Sequence, residues 1–292
     1  MATLLDFRRR IRSVKNSQQI TRAMKFVAAA RLRRAQEAAL AARPYAQELA
    51  RVLRSTMARI QEPQHPLLER REEKNVLAIV LTGERGLAGA FNANILRKAN
   101  EVFRAHRDKK VVTIPVGKKG RDALKKAGFT FAGEWINVLA RVEFKTAREI
   151  AKLATDLYAE EKVDSVYIIF SEFKSVVAAN LTVEKLLPVE AIAGKESDAN
   201  KEKAETQVDY IYEQPEAQLL DKLLPRYIET QILRAMLESS ASEYAARMTA
   251  MESATKNAGD VIDALTLYMN KVRQAAITKE IIEIVSGASY GA

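Results

Sequence analysis

Two long stretches of the chain share one hydrophobic period, and the segment between them carries another. From residue 4 to 60, stepping alternately by three and four positions meets Phe7, Ile11, Val14, Gln18, Thr21, Lys25, Ala28, Leu32, Ala35, Ala39, Ala42, Ala46, Leu49, Leu53, Thr56 and Ile60. Most of these are apolar, so the spacing predicts a helix with a coiled-coil seam. Its alanines let a partner helix approach closely, while Gln18, Thr21 and Lys25 interrupt the seam in one place. Pro44 predicts a bend, because proline removes a backbone donor. The same stepping from Leu237 reaches Ala241, Tyr244, Met248, Met251, Thr255, Ala258, Ile262, Leu265, Met269, Val272 and Ala276, with Thr255 the single polar member. Upstream, Leu220, Leu223 and Tyr227 extend this seam toward Pro215, a good first-turn residue. Downstream it runs out at Ser286 and Gly287.

Helices of these lengths reach roughly 85 to 110 Å, too long for one globular core to bury end to end. They are expected to pair with each other. The domain between them returns the chain to its start, so the pairing is expected to be antiparallel, with the longer C-terminal helix projecting beyond its partner.

Between the seams the period changes. The runs 75–81 (NVLAIVL), 111–116 (VVTIPV) and 163–170 (VDSVYIIF) read as buried strands, separated by helical stretches around 87–107, 118–127 and 146–161. Strands alternating with helices predict a small parallel-sheet α/β domain over residues 75–213. The stretch from Ser175 to Ile192 has no helical period and is expected to add an edge strand or hairpin. Residues 194–205 (GKESDANKEKAE) read as a solvated charged loop. The expected organisation is therefore an N-terminal helix over 1–60, a central domain over 75–213 and a C-terminal helix over 215–288.

Charge sharpens this picture. The 292 residues hold 47 Lys+Arg against 37 Asp+Glu, a net charge of +10. Fourteen of those bases and only three acids lie in residues 1–59, so the remainder is close to neutral. Whatever answers the charge is to be sought along the first helix. Such a helix admits three readings: nucleic-acid binding, an acidic membrane surface, or an acidic protein partner. The membrane reading is weakened because the apolar stripe is used as a seam and is rich in Ala. No apolar h-region follows Arg8–Arg10, and the longest clean apolar run, Val76 to Leu81, is far short of a membrane span. The chain reads as soluble and untargeted.

Candidate chemistry is sparse. With no Cys, thiolate metal sites and cysteine nucleophiles are excluded. His65 and His106 have no metal-ligand spacing to each other. The turn Thr82-Gly83-Glu84-Arg85-Gly86-Leu87-Ala88-Gly89 follows a strand and opens a helix, where backbone amides can hold a phosphate. Its spacing is neither a dinucleotide fingerprint nor a P-loop, and the second strand ends in Val116-Gly117-Lys118 without a ribose-binding acid. The spacing favours a plain tight turn.

The motifs at residues 10–36 (RIRSVKNSQQITRAMKFVAAARLRRAQ), 82–95 (TGERGLAGAFNANI), 245–258 (AARMTAMESATKNA) and 270–288 (NKVRQAAITKEIIEIVSGA) resemble those of the gamma subunits of F-type ATP synthases, over essentially the whole chain. The fold class this implies is a long antiparallel coiled coil of the N- and C-terminal helices plus a central Rossmann-like α/β domain. The implied role is a rotor shaft that transmits torque between a proton-driven membrane ring and the catalytic hexamer. Its implied partners are three alpha and three beta subunits per copy, the epsilon subunit and the membrane c-ring. No nucleic acid, membrane insertion, cofactor, metal or catalytic residue of its own is implied. The implied location is the cytoplasmic face of a bacterial plasma membrane, held peripherally. A basic coiled-coil RNA-binding protein is the alternative.

Carried over residue by residue, the resemblance sets Met24 and Lys25 at the level of acidic lever segments of the beta subunits. Arg273, Gln274, Thr278 and Glu280 fall where the family's shaft meets a catch loop of beta, and Arg247 lies in the other C-terminal motif. Ile281, Ile282, Ile284, Val285 and Ala288 form an apolar tip expected to turn in a sleeve of alpha and beta subunits. Three features depart from the family: the wording of the 82–89 turn with Ala88 in place of a cysteine, Met269 where an aromatic is usual, and the absence of a cysteine-bearing regulatory loop.

Overall fold

The computed structural model describes residues 3–59, 65–176, 178–189 and 216–290. Ile60, Pro215 and the charged stretch 194–205 lie outside them. The chain divides into two compact units, one of Met1–Ala29 with Arg247–Ala292 and one of Ala30–Ala246. Two long helices contribute to both: α1, Leu4–Arg59, and α5, Glu216–Tyr290.

Both helices follow their seams. Every described seam position of α1 from Phe7 to Thr56, and every one of α5 from Leu237 to Ala276, is buried or half-buried. The start of α1 is set by reciprocal capping: the Thr3 amide donates to Asp6 Oδ2 at 2.9 Å, and the Asp6 amide donates to Thr3 Oγ1 at 3.3 Å. The Thr3 amide, and after it the Thr3 hydroxyl donating to Oδ2 at 2.9 Å, hold the Asp6 carboxyl below its ordinary value. Helix α1 continues through Pro44. Pro44 and Leu40 both face water, so the carbonyl that proline leaves without its helical donor has solvent available. Helix α5 likewise continues through Pro225, and it runs past Ser286 and Gly287 to Tyr290, beyond the end of its seam.

The larger unit is built on a five-stranded sheet in the order β3-β2-β1-β4-β5. Strands β1 (Asn75–Leu81), β2 (Lys110–Val116), β3 (Thr130–Phe131) and β4 (Ser165–Phe173) are parallel, and β5 (Ala179–Leu187) runs antiparallel to β4. The β4–β5 hairpin fulfils the expected edge element and makes the sheet mixed rather than wholly parallel. Strand β3, two residues long, has too little sequence to carry a period. Alternation along β1 divides its side chains between two cores. Leu77, Ile79 and Leu81 join Ile150, Tyr158, Leu53 and the α5 residues Leu224, Ile228 and Ile232. Ala78 and Val80 join Phe91, Ile95 and Phe103 of α2 (Phe91–Ala105) and Leu124 of α3 (Lys118–Lys126). Helix α4 (Phe144–Ala159) supplies Ala147, Ile150 and Tyr158 to the first core.

Helix α2 starts later than its sequence pattern, because Leu87 (φ 63°) and Gly89 (φ 55°) take left-handed conformations that a helix does not admit. Gly117 (φ 104°) is the residue whose identity the fold demands: a Cβ there would lie 1.9 Å from the Thr82 carbonyl oxygen.

Candidate functional site

In the smaller unit, two helix segments have chiefly each other to pack against. Phe7 meets Tyr268 with ring centroids 5.1 Å apart, Gln18 donates to the Thr255 carbonyl at 3.3 Å, and Lys25 Nζ lies 2.6 Å from Glu252 Oε1. Partner numbers fall as α1 numbers rise, so this pairing is antiparallel. Because α1 begins at Leu4, only a few residues before Phe7, α5 runs out of α1 partners a few residues beyond Tyr268.

That leaves the C-terminal end of α5 without a companion helix among the described residues of this unit. Arg273, Gln274, Thr278 and Glu280 are all exposed, and the Thr278 hydroxyl donates back to the Gln274 carbonyl at 3.0 Å. Ile281, Ile282, Ile284 and Val285 are exposed at 55, 58, 71 and 63%. Ala288 lies within the helix, but its side chain is outside the described set. The polar and apolar candidates of the C-terminal motif thus share one uncovered helix end. The remaining candidates stand apart from it. Arg247 is half-buried in α5, and Met24 is half-buried in α1. Lys25 is half-buried and its ammonium is already engaged by Glu252 of the same chain.

Sequence reasoning missed Glu252 as that partner. It also missed an outward apolar group on α1, Ile20, Phe26 and Val27, exposed at 60, 61 and 54%. Apolar residues that fall off the three-four stepping were the available signal. On the same segment Arg8, Arg9, Arg10, Arg12, Lys15 and Arg22 are exposed, and Asp6 is the only acid.

The Gly-rich turn of the larger unit is occupied by the chain's own groups. Glu84 accepts from the Lys118 amide at 3.0 Å, at the start of α3, and from the Val138 amide at 3.2 Å. Thr82 Oγ1 accepts from the Gly120 amide at 2.7 Å, and Asn92 Oδ1 accepts from the Gly83 amide at 2.7 Å. The Glu84 carboxylate thus sits at the start of α3, and on the turn that opens α2 the Gly83 amide is taken by Asn92.

Both histidines have structural partners. His65 Nδ1 accepts from the Leu67 amide at 3.0 Å, and His106 Nε2 lies 3.5 Å from Glu73. Glu73 also receives Lys109 at 2.8 Å, Lys185 at 3.0 Å and the Tyr167 hydroxyl at 3.0 Å. Burial works to raise the Glu73 carboxyl, but these hydrogen bonds outweigh it and hold it at about 2. Burial pushes the Tyr158 phenol up to about 12; its hydroxyl donates to the Glu69 carbonyl. Among the described residues no cluster of three or more His, Asp or Glu stands ready to hold a metal, and no helix is long and apolar enough to cross a membrane.

Residues 3–289 match the family model described as ATP synthase. The chain is 49% identical to the ATP synthase gamma chain of Solibacter usitatus, covering 99% of each, and 47% identical to that of Desulforamulus reducens, again covering 99% of each. The chain belongs to the ATP synthase gamma-chain family. Its fold is shared with the rotor of the Euglena gracilis mitochondrial ATP synthase at TM-score 0.65 and 20% identity, over 94% of this chain and 98% of that one. It is likewise shared with the central stalk of the Tetrahymena thermophila mitochondrial enzyme at TM-score 0.59 and 24% identity, over 80% of this chain and 99% of that one. Nothing in these relatives supports the RNA-binding alternative. For a gamma-chain family member, the uncovered end of α5 is the natural candidate for a working surface.

Proposed function

We propose that this chain is the central rotor shaft of an F-type ATP synthase, carrying torque between an ion-driven membrane ring and a hexamer of three alpha and three beta subunits. The observation that carries the reading is a helix end bearing Ile281, Ile282, Ile284 and Val285, exposed and, among the described residues, without a companion helix, in a chain of this family. Apolar side chains in a row on bare helix are costly in water and useful inside a partner. In this reading catalysis belongs to the beta subunits and the chain contributes no catalytic group. Epsilon and the membrane c-ring are its partners on the membrane side, and the complex sits on the cytoplasmic face of a bacterial plasma membrane, with this chain a peripheral member.

Within that role Arg273, Gln274, Thr278 and Glu280 offer exposed hydrogen-bonding groups to the beta catch loop, and Ile281 to Val285 with Ala288 supply the bearing. Arg247 is assigned to the same set of subunit contacts. Met24 and Lys25 are assigned to the level of the acidic levers. With Lys25 engaged by Glu252, the long-range attraction there is carried by the exposed arginines of α1.

The test is reconstitution of the chain with purified alpha and beta subunits. A complex of three alpha, three beta and one copy of this chain, with ATPase activity changed by its presence, is expected; failure to assemble together with unchanged ATPase activity overturns the shaft reading. Arg273→Ala with Gln274→Ala is expected to weaken coupling without lowering the melting temperature. Unaltered synthesis and hydrolysis in that double variant removes the catch assignment.

A further inference from the structure

The paired-helix unit has a polar layer set into an otherwise apolar seam. Thr21 and Thr255 share a hydroxyl–hydroxyl bond of 2.8 Å across the helices. Gln18 Nε2 donates to the Thr255 carbonyl at 3.3 Å, and a Cβ on Gly259 would lie 3.2 Å from that same nitrogen. One turn along, Lys25 and Glu252 close the layer with a 2.6 Å ion pair. On one side of the layer the seam reads Phe7, Ile11 and Val14 on α1 with Ala258, Ile262, Leu265 and Met269 on α5, and on the other Ala28 on α1 with Met251 and Met248 on α5.

Aliphatic seams specify register weakly, since one aliphatic residue replaces another opposite a given knob at little cost. A shift of three or four residues is the slip that a coiled coil absorbs as a stammer or stutter. Here such a shift brings Thr21 opposite Met251 or Ala258 instead of Thr255, sets Thr255 or Ile262 where Gly259 leaves room for the Gln18 amide, and takes Lys25 away from Glu252. The two hydroxyls keep carbonyls of their own helices, Gln18 at 3.0 Å and Met251 at 2.7 Å, so what another register loses is the hydroxyl bond between the helices, the ion pair and the room beside Gly259.

We infer that Gln18, Thr21 and Thr255, braced by Lys25–Glu252, form the register lock of the helix pair, fixing the axial position of the uncovered α5 end. A slip of three or four residues moves that end by about 4.5 to 6 Å along the axis. The importance of this shift for torque rests on the shaft reading; the lock itself does not.

The chain contains no Cys, so two introduced cysteines are the only attachment points. Spin labels on Arg12→Cys and Lys279→Cys, both exposed positions well offset along the axis, convert axial slip into a change of distance. In the isolated full-length chain a single distance population is expected. With Gln18→Leu, Thr21→Val, Lys25→Met and Thr255→Val combined, which keeps the seam apolar and the chain folded, a second population displaced by about one helical turn is expected. Replacing the threonines instead with serine, Thr21→Ser and Thr255→Ser, keeps the hydroxyls and restores the single population. One unchanged population in the apolar variant, or a second population in the serine variant, overturns the lock. Neither result bears on assembly with alpha and beta subunits, so the lock and the shaft fail separately.

Discussion

The same helices are buried to very different depths in the two units. In the larger unit Leu53, Leu224, Ile228, Ile232 and Met236 are fully withdrawn from water. In the smaller unit Ile262, Leu265, Met269 and Val272 of the same seam type are only half-buried, and Leu267 and Tyr268 are exposed at 61 and 56%. A helix packed on a sheet and on its neighbours is covered from several sides. A helix with one companion buries a stripe and leaves the rest wet. Apolar residues outside the stripe then contribute less to folding, although Tyr268 still packs its ring on Phe7. The difference teaches that stability is concentrated in the sheet-bearing unit and that exposed apolar surface is concentrated in the helix pair.

The largest effect that tests this contrast is Leu53→Ala, expected to cost about 3 kcal/mol and to be read as a fall in melting temperature. Leu265→Ala, on the half-buried seam, is expected to cost about 1 kcal/mol, because its site has water to collapse into. Equal losses at the two positions break the comparison.

Next is Glu238, 96% withdrawn from solvent, which takes two nitrogens of Arg43 at 2.8 and 2.9 Å on one oxygen and the Phe173 amide at 3.1 Å on the other. Glu238→Gln keeps the shape but not the charge, and is expected to cost about 2 kcal/mol. Pairing Glu238→Leu with Arg43→Met is expected to recover only part of the loss, since the Phe173 amide is left without its acceptor. Full recovery in the double variant shows that the Phe173 amide does not depend on Glu238.

Smaller still is the acid limb. The folded Glu73 carboxyl is held at about 2, below the ordinary 4.5, so its contribution to stability is present above 4.5 and is lost as pH falls from there through 2. Chemical denaturation between these pH values is expected to show a shallower decline for Glu73→Gln than for the natural chain. The same slope in both removes Glu73 as its source. The smallest effect on stability belongs to Ile281→Ser with Ile284→Ser, expected to leave the melting temperature within about 0.5 kcal/mol equivalent while lowering coupled ATP synthesis in the assembled enzyme. A large drop in melting temperature shows that this end is packed within the chain rather than reserved for a partner.

Much of this was legible from residue pattern alone. The stepping from Phe7 to Thr56 and from Leu237 to Ala276 found the positions that turn inward, because one face of a helix repeats every three or four residues whatever covers it. The runs 75–81 and 111–116 found β1 and most of β2 for the equivalent reason. What a period does not carry was not legible. The antiparallel direction of β5 is set by a hairpin whose alternation is the same in either sense. Strand β3 exists because Thr130 and Phe131 lie beside β2, not because two residues have a pattern. Glu84 filling the start of α3 and Glu252 engaging Lys25 depend on residues 34 and 227 positions apart coming together in space. The motif-borne candidates at 273–285 proved to share one uncovered helix end, whereas Lys25, a seam position by its spacing, and its neighbour Met24 turned partly inward.

The most direct measurement is single-molecule observation of the reconstituted complex of alpha, beta and this chain. The hexamer is fixed to a surface, and a bead is tied to a cysteine introduced at an exposed position of the α/β unit, such as Lys145. Rotation of the bead in one direction during ATP hydrolysis, abolished by removal of ATP, is the predicted result. A complex that hydrolyses ATP at full rate while the bead stays still contradicts the claim that this chain is the shaft.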